Sequence, residues 1–276
     1  MKWKADNEFV KVNGRTLYRN EMRVLGYTAT GVTFRFKGKK ASAVLLSDVE
    51  GRTQDSLAWM AVFVNDQTTP AKRFPLKEAE AEYTLYESDQ EAEVTITLMK
   101  YSEVEYAKCL IKEIITDSDT LLAPPQQKKR KMLIIGDSIT CGYGVEGDVE
   151  DEIFCTAKEN PSKAYSLLTA QELEAEYQIV AWNGKGVISA YIGEEGDEPD
   201  PQWRLPFLYD YTDGGSEQDY YKKEEKDWEK WNHQSYQADI VTVYLGTNDA
   251  SYTREIPQRD QEFIDAYKLF LGRIHQ

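Results

Sequence analysis

Histidine and cysteine are scarce in this chain of 276 residues, which contains two histidines and three cysteines. The cysteines, Cys109, Cys141 and Cys155, are odd in number and lack the spacing of metal ligands. We interpret them as free thiols of a reducing compartment, and Cys141 as a small buried residue rather than a reactive one. We predict no metal site and no cofactor. The shortage of histidine matters more, because histidine is the most frequent general base of enzymes.

Positive charge is also in short supply, with a net charge of −15 at pH 7 and a pI near 4.7. This balance argues against nucleic acid or an anionic membrane as a partner and favours a neutral substrate. No apolar run approaches membrane-spanning length, and the first seven residues lack the apolar core of a signal peptide. We expect a cytoplasmic protein, although a secreted protein whose signal peptide has been removed would show the same sequence features.

The first part of the chain has the pattern of short antiparallel strands. Apolar and polar residues alternate over residues 32–37 and 94–98, the period of a strand with one buried face. An apolar run from Trp59 to Val64 closes at Asn65-Asp66, which predicts a hairpin turn. We predict an all-β sandwich over residues 1–122.

A linker is predicted over residues 123–131, where two prolines and a basic run interrupt the periodicity. Beyond it, over residues 132–276, strand and helix patterns alternate, which indicates βαβ units and a parallel sheet. The predicted elements are a strand at 132–135, a helix at 161–174, strands at 177–181 and 239–245, and a helix at 260–274. In the last helix an apolar stripe indicates a face that packs on the core.

The first parallel strand ends abruptly at Gly136 and is followed by Asp137 and Ser138. The carboxyl edge of a parallel sheet is where α/β proteins bind ligands, so this arrangement presents a serine as a candidate nucleophile. We interpret Asp137 as a turn residue that bonds to the backbone.

Candidate oxyanion donors follow the other two predicted strands. The strand at 239–245 leads into Asn248, whose side-chain amide would reach the same edge, and the strand at 177–181 leads into the glycine-rich turn at 183–186. With the backbone N–H of Ser138, these groups suit a developing oxyanion. Phosphate-binding alternatives fail on spacing, since the turn lacks the upstream glycine of a P-loop and no dinucleotide fingerprint is present.

These residues resemble the conserved blocks of the SGNH hydrolases, also called GDSL-type esterases. The matching residues are Gly136-Asp137-Ser138, Gly184 and Gly246-Thr247-Asn248-Asp249. The longer run from Gly136 to Gly147, followed by Ala164-Tyr165 and residues 168–170, is similar to the second family of carbohydrate esterases, the acetylxylan esterase type.

The resemblance implies an N-terminal jelly-roll domain followed by an SGNH domain with a flavodoxin-like parallel sheet. It implies Ser138 as nucleophile, with the backbone N–H groups of Ser138 and Gly184 and the side chain of Asn248 as oxyanion donors. It further implies an acetylated oligosaccharide or polysaccharide as substrate. Between the two glycines of the turn, Gly184 aligns better than Gly186.

One signature of that family has no counterpart here. The Asp-x-x-His block that supplies the base is missing, because Lys230 and Gly272 stand three residues before His233 and His275. The resembled domain also continues for two further strands and a helix, so we expect an incomplete domain. The strand at 239–245 would then be an exposed apolar edge, and a homo-oligomer that covers it is one possibility.

The first functional interpretation is a serine esterase that removes O-acetyl groups from xylan or related carbohydrates through an acetyl-enzyme. Trp203 and Tyr211, in the long segment between the last two strands, are candidates for stacking on sugar, although they could equally pack that segment onto the domain. The alternative is a catalytically impaired remnant that binds carbohydrate. A lipase or thioesterase is a third hypothesis, which the polar, acidic residues 193–230 disfavour.

Overall fold

The computed structural model describes residues 1–148 and 153–275. It contains one ten-stranded sheet of antiparallel pairs and, after it in the chain, one three-stranded parallel sheet. The predicted order of an all-β domain followed by an α/β domain is therefore confirmed. None of the described helices is long and apolar enough to cross a membrane.

The first sheet is dominated by two long strands. Its strands are Lys2–Trp3 (β1), Val10–Asn13 (β2), Leu17–Arg19 (β3), Met22–Leu25 (β4), Gly31–Ser47 (β5), Trp59–Val64 (β6), Lys72–Pro75 (β7), Glu80–Lys100 (β8), Cys109–Thr116 (β9) and Leu121–Leu122 (β10). Their order is β3-β4-β9-β5-β8-β6-β7, with β1 beside β9 and both β2 and β10 beside β5. The hairpin predicted after β6 is present, since β6 pairs with β7 and Asn65 begins the turn with φ 56°.

The jelly-roll form is not confirmed, because the described strands make one continuous curled sheet rather than two separate ones. β5 and β8 pair along almost their whole lengths, and register shifts interrupt the pairing between Gly38 and Ser42. Such irregularities bend and twist a strand, so β5 and β8 can stay paired while the sheet curls back on itself. Phe34, Phe36 and Ile96 lie fully buried in the core that the curled sheet encloses.

The second domain is built on three parallel strands. They are Arg130–Gly136 (β11), Ala175–Ala181 (β12) and Ile240–Tyr244 (β13), in the order β12-β11-β13. The α-helices are Ser138–Cys141 (α1), Tyr165–Glu172 (α2), Leu205–Leu208 (α3), Gly214–Asp219 (α4), Ala250–Thr253 (α5) and Pro257–Ile274 (α6). The central strand β11 is a continuous apolar run from Met132 to Ile135. It has a strand on each side, and its residues from Met132 to Gly136 are buried.

The two domains share a packed interface. Ala29 and Tyr101 of the first domain belong to the same buried cluster as Met132 and Ile179 of the parallel sheet. The fully buried guanidinium of Arg15 donates hydrogen bonds to three groups of the second domain: Gln178 Oε1, the carbonyl oxygen of Tyr209 and that of Tyr211. The first domain therefore supports the long segment between β12 and β13.

The outer edge of the parallel sheet is β13. Among the described strands it pairs only with β11, and Val241 and Tyr244 are 43% and 51% exposed. On α6, Phe270 is buried whereas Leu269 is 70% exposed, so the helix covers the sheet with one face. A second copy of the chain against this edge stays a prediction.

Candidate active site

The end of β11 delivers Ser138 to the carboxyl edge of the sheet. β11 stops at Gly136, where a Cβ atom would lie 1.9 Å from Thr140 Oγ1. Asp137 then caps α1, because its Oδ1 accepts the N–H of Ile139 at 3.0 Å. The expected role of Asp137 as a turn residue is thus confirmed. Ser138 is the first residue of α1 and is half-buried.

The backbone N–H groups of Ser138 and Gly184 lie at this edge and have no acceptor among residues 1–148 and 153–275. Gly184 lies three residues beyond the end of β12. Gly184 has φ +72°, a conformation that favours glycine, and no atom stands within 4 Å of the position of its Cβ. Both N–H groups are therefore available to a ligand oxygen.

Asn248 lies at the same edge, but its amide already has acceptors. It is 8% exposed, and Nδ2 donates to the carbonyl oxygen of Lys185 at 3.1 Å and to Asp137 Oδ2 at 3.4 Å. To bind an oxyanion, the amide would have to release one of these bonds. The structure thus brings Ser138, Gly184 and Asn248 to one edge, with two of the three predicted donors open.

Asp249 organises the loop after Gly184 and was not singled out as a site residue from the sequence. Its carboxylate is 1% exposed and accepts the backbone N–H groups of Val187, Ile188 and Ser189 at 2.7–3.1 Å. Three successive amides on one carboxylate fix the path of residues 184–189. Nothing in the sequence separates this role from that of an ordinary turn aspartate.

A cavity of about 430 Å³ opens beside these groups. Its lining combines aromatic, charged and amide groups: Glu105, Tyr143, Asn183, Gly184, Lys185, Ala190, Tyr191, Asp200 and Asn248. Tyr143 is joined to Ser138, since its N–H donates to the carbonyl oxygen of Ser138 at 3.0 Å. Tyr191 is 60% exposed and is a further candidate for contact with a ligand. As a lone tyrosine in a long irregular segment, it carried no signal in the sequence.

Trp203 and Tyr211 do not line this cavity. The Trp203 ring packs against Trp182, and Lys185 Nζ lies 5.7 Å from its centroid, next to the cavity wall. Tyr211 packs against Phe207 and Trp228 at centroid distances of 5.0 and 5.3 Å. Their contact with sugar stays a prediction.

Both histidines lie at the opposite edge of the sheet. His233 stacks on Tyr209 at a centroid distance of 4.4 Å. With His275 it lines a separate cavity of about 770 Å³, whose wall also includes Leu133 of β11 and Val241 and Val243 of β13. The seven residues of β11 separate the two edges by about 20 Å. Burial lowers the pKa of His233, and the positive charge of Arg15 lowers it further.

At this edge Ser138 thus lies with two open backbone N–H groups, and no histidine of the described residues lies beside it. Within the described part of the chain, no side chain hydrogen-bonds to Ser138 Oγ. Burial raises the pKa of Asp137, and its carboxylate faces the N–H of Ile139 and the amide of Asn248. No group of three or more His, Cys, Asp or Glu in the described residues is placed to hold a metal ion.

The comparison with protein families agrees with this geometry. Residues 12–125 match the family described as carbohydrate esterase 2 N-terminal. Residues 132–275, just over half of the chain, match the family described as GDSL-like lipase/acylhydrolase. The chain belongs to the GDSL-like lipase/acylhydrolase family. The resemblance stated from the motifs is confirmed, and so is the prediction of a carboxylic ester hydrolase.

Relatives of known name include an acetylxylan esterase/glucomannan deacetylase of Cellvibrio japonicus, 26% identical over 97% of this chain and 68% of the relative. The cellulase/esterase CelE of Acetivibrio thermocellus is 26% identical over 98% of this chain. This chain spans only 30% of the length of CelE.

Solved structures share the fold. An acetyl xylan esterase from the rumen bacterium Butyrivibrio proteoclasticus superposes with a TM-score of 0.83 at 22% identity, over 99% of this chain and 78% of the other. A family two carbohydrate esterase from Clostridium thermocellum, in complex with cellohexaose, gives 0.79 at 25% identity over 96% and 73%.

Proposed function

We propose that this chain hydrolyses O-acetyl esters of carbohydrates, with Ser138 as the nucleophile. The observation that carries the proposal is the pair of unengaged N–H groups, on Ser138 and Gly184, at the edge where the serine begins α1. Both relatives named above are described as esterases, one of them an acetylxylan esterase/glucomannan deacetylase. Acetylated xylan or a related oligosaccharide is the corresponding substrate here.

The lining of the cavity favours a sugar over a fatty acyl chain. Glu105, Asp200 and Asn183 offer hydrogen-bonding groups for hydroxyls, and the rings of Tyr143 and Tyr191 offer faces for the apolar side of a sugar. A long acyl chain needs a mainly apolar groove, which this lining does not provide. The lipase and thioesterase hypotheses are therefore disfavoured.

In the proposed reaction, Ser138 Oγ attacks the acetyl carbonyl carbon and its proton passes to a base. The carbonyl oxygen becomes an oxyanion that accepts the N–H groups of Ser138 and Gly184, and the Asn248 amide joins them after it leaves Lys185 or Asp137. The bond to the sugar oxygen breaks, that oxygen takes a proton, and water then hydrolyses the acetyl-enzyme to acetate.

Residues 1–148 and 153–275 place no general base beside Ser138. Loss of a general base lowers a rate by about 100- to 10,000-fold. The remaining oxyanion site and substrate binding still give a residual rate in serine-nucleophile enzymes. We infer that imidazole in solution can take the role of the base, because the serine is half-buried rather than sealed.

Acetate release from acetylated xylo-oligosaccharides tests the proposal, with wild type and Ser138→Ala compared in the presence and absence of imidazole. We expect acetate release by wild type that imidazole increases, and none above background by Ser138→Ala. Saturable binding of the oligosaccharide with equal background rates for both proteins would reject the esterase and indicate a binding protein.

A further inference from the structure

A buried carboxylate of the first domain contacts the Asn183-Gly184 turn of the second domain. Glu103 lies in the segment between β8 and β9, and it is fully buried. Its Oε2 accepts the backbone N–H of Asn183 at 3.0 Å. Asn183 directly precedes Gly184, so this bond joins the first domain to the residue beside a proposed oxyanion donor.

The segment that carries Glu103 is held rigidly. Lys100 Nζ, fully buried, donates to the carbonyl oxygens of Gly26, Ser102 and Glu103 at 2.7–2.9 Å. The N–H of Glu103 itself donates to Glu159 Oε2 at 2.8 Å. These bonds leave the Glu103 backbone little freedom to follow a moving partner.

The same segment makes a second contact with the turn. Glu105 Oε2 accepts the indole N–H of Trp182, the residue before Asn183, and Glu105 also lines the cavity. Two successive residues of the second domain, Trp182 and Asn183, therefore donate to two carboxylates of the first domain.

The hydrogen bond from the Asn183 N–H to Glu103 is not part of a sheet or a helix. β12 ends at Ala181, and no other acceptor for the Asn183 N–H exists within residues 1–148 and 153–275. Glu103 Oε1 has no hydrogen-bond partner in the part of the chain that the structure describes, so the bond to Asn183 is the main interaction across the domain boundary for this carboxyl group. Burial raises the pKa of Glu103, whereas the Asn183 N–H lowers it.

We propose that Glu103 is a positioning residue for the Asn183-Gly184 turn, so that the β-sheet domain sets the direction of the Gly184 N–H in the candidate active site. The catalytic meaning of this role rests on the proposed function, whereas the structural coupling does not. The β-sheet domain is then a part of the active site and not a separable binding module.

Hydrogen exchange of the Asn183 amide, resolved to single residues by mass-spectrometric fragmentation, tests the coupling without turnover. We expect protection in wild type, and exchange at least about tenfold faster in Glu103→Ala, the loss expected for a hydrogen bond to a buried carboxyl group. Glu103→Gln keeps a carbonyl acceptor and should stay within about threefold of wild type.

The control is Asp239→Ala. Asp239 accepts one backbone N–H, that of Lys131 at 2.8 Å, near the start of β11 and away from the Glu103 segment. This variant should accelerate exchange at Lys131 and leave Asn183 unchanged. If Glu103→Ala fails to fold, wild type and Glu103→Gln still test the proposal. An Asn183 amide that exchanges in wild type at the rate of an unstructured peptide overturns it.

Labelling of Ser138 by an organophosphonate in the presence of imidazole gives a separate readout. We expect the labelling rate of Glu103→Ala to fall at least about tenfold and that of Glu103→Gln to stay near wild type. Absence of labelling in wild type, with Asn183 protected through Glu103, would refute the proposed function alone. Unchanged Asn183 exchange in Glu103→Ala would refute the positioning role alone.

Discussion

Asp249 offers the sharpest test of how the loop at residues 184–189 is held. Its carboxylate accepts the N–H groups of Val187, Ile188 and Ser189, and it is 1% exposed. Val187 and Ser189 are also buried, so Asp249→Ala leaves at least two N–H groups away from water without an acceptor. Each such loss costs about 1–3 kcal/mol, and we expect a total of about 3–5 kcal/mol in the free energy of unfolding.

Two further variants make the magnitude interpretable. Asp249→Asn keeps one oxygen as an acceptor but turns an NH₂ group towards an amide donor, so we expect a loss of about 1–2 kcal/mol. Asp239→Ala is the control, because the exposed Asp239 accepts a single N–H, that of Lys131 at 2.8 Å. Its loss should be about 1 kcal/mol or less.

Urea denaturation followed by fluorescence measures these differences as shifts of the transition midpoint. The order of loss should be Asp249→Ala, then Asp249→Asn, then Asp239→Ala. An Asp249→Ala protein within about 1 kcal/mol of wild type would refute the reasoning, since the three hydrogen bonds would then contribute almost nothing.

Four other perturbations have expected outcomes. Gly184→Ala forces a side chain into φ +72°, which costs about 1–2 kcal/mol, and should lower the imidazole-supported rate of 4-nitrophenyl acetate hydrolysis at least about tenfold. Burial raises the pKa of Glu103 to about 7 from 4.5, so the folded state binds more protons between these values. The Glu103 contribution to stability is then full below about pH 4.5 and is lost as the pH rises towards 7, and urea titrations of Glu103→Gln should lack this decline. Tyr191→Ala should raise KM for an acetylated oligosaccharide about fivefold and leave 4-nitrophenyl acetate unaffected, because only the larger substrate reaches the exposed ring. Phe270→Ala should cost about 3–5 kcal/mol in urea denaturation, whereas Leu269→Ala, on the exposed face of α6, should be nearly neutral.

Local patterns in the sequence were sufficient for the parallel sheet and its edge. The apolar run of β11 and the stripe on α6 reflect burial of the segment itself, so they could be read without knowledge of partners. The predicted strands and the last helix agree with β11, β12, β13 and α6 to within three residues at each end.

Pairing between distant segments was beyond these patterns. Alternation in β5 and β8 shows which face of a strand is buried, but it does not show that both strands bend through the register shifts near Gly38 and stay in one sheet. The patterns therefore predicted a β-sandwich and the resemblance implied a jelly roll, whereas the described strands form one curled sheet.

The candidate site, too, could be predicted only in part from the sequence. Ser138, Gly184 and Asn248 each follow a strand, so the common edge could be predicted. The acceptors that hold the loops, Glu103 and Asp249, are about 60 to 80 residues from the amides they bind. Glu103 lies outside the motifs, and the Gly246–Asp249 block does not show which amides Asp249 binds. Their roles depend on the fold and could not be read from spacing.

The central claim is the proposal that Ser138 is the nucleophile of an ester hydrolase. The most direct measurement is the mass of the Ser138 peptide after reaction with 4-nitrophenyl acetate in imidazole buffer, followed by a rapid acid quench. The account predicts one acetyl group on the Ser138 peptide of wild type, at a level that rises with imidazole, and none on the same peptide of Ser138→Ala. A wild-type peptide without acetyl at every imidazole concentration, from a folded protein, would contradict it.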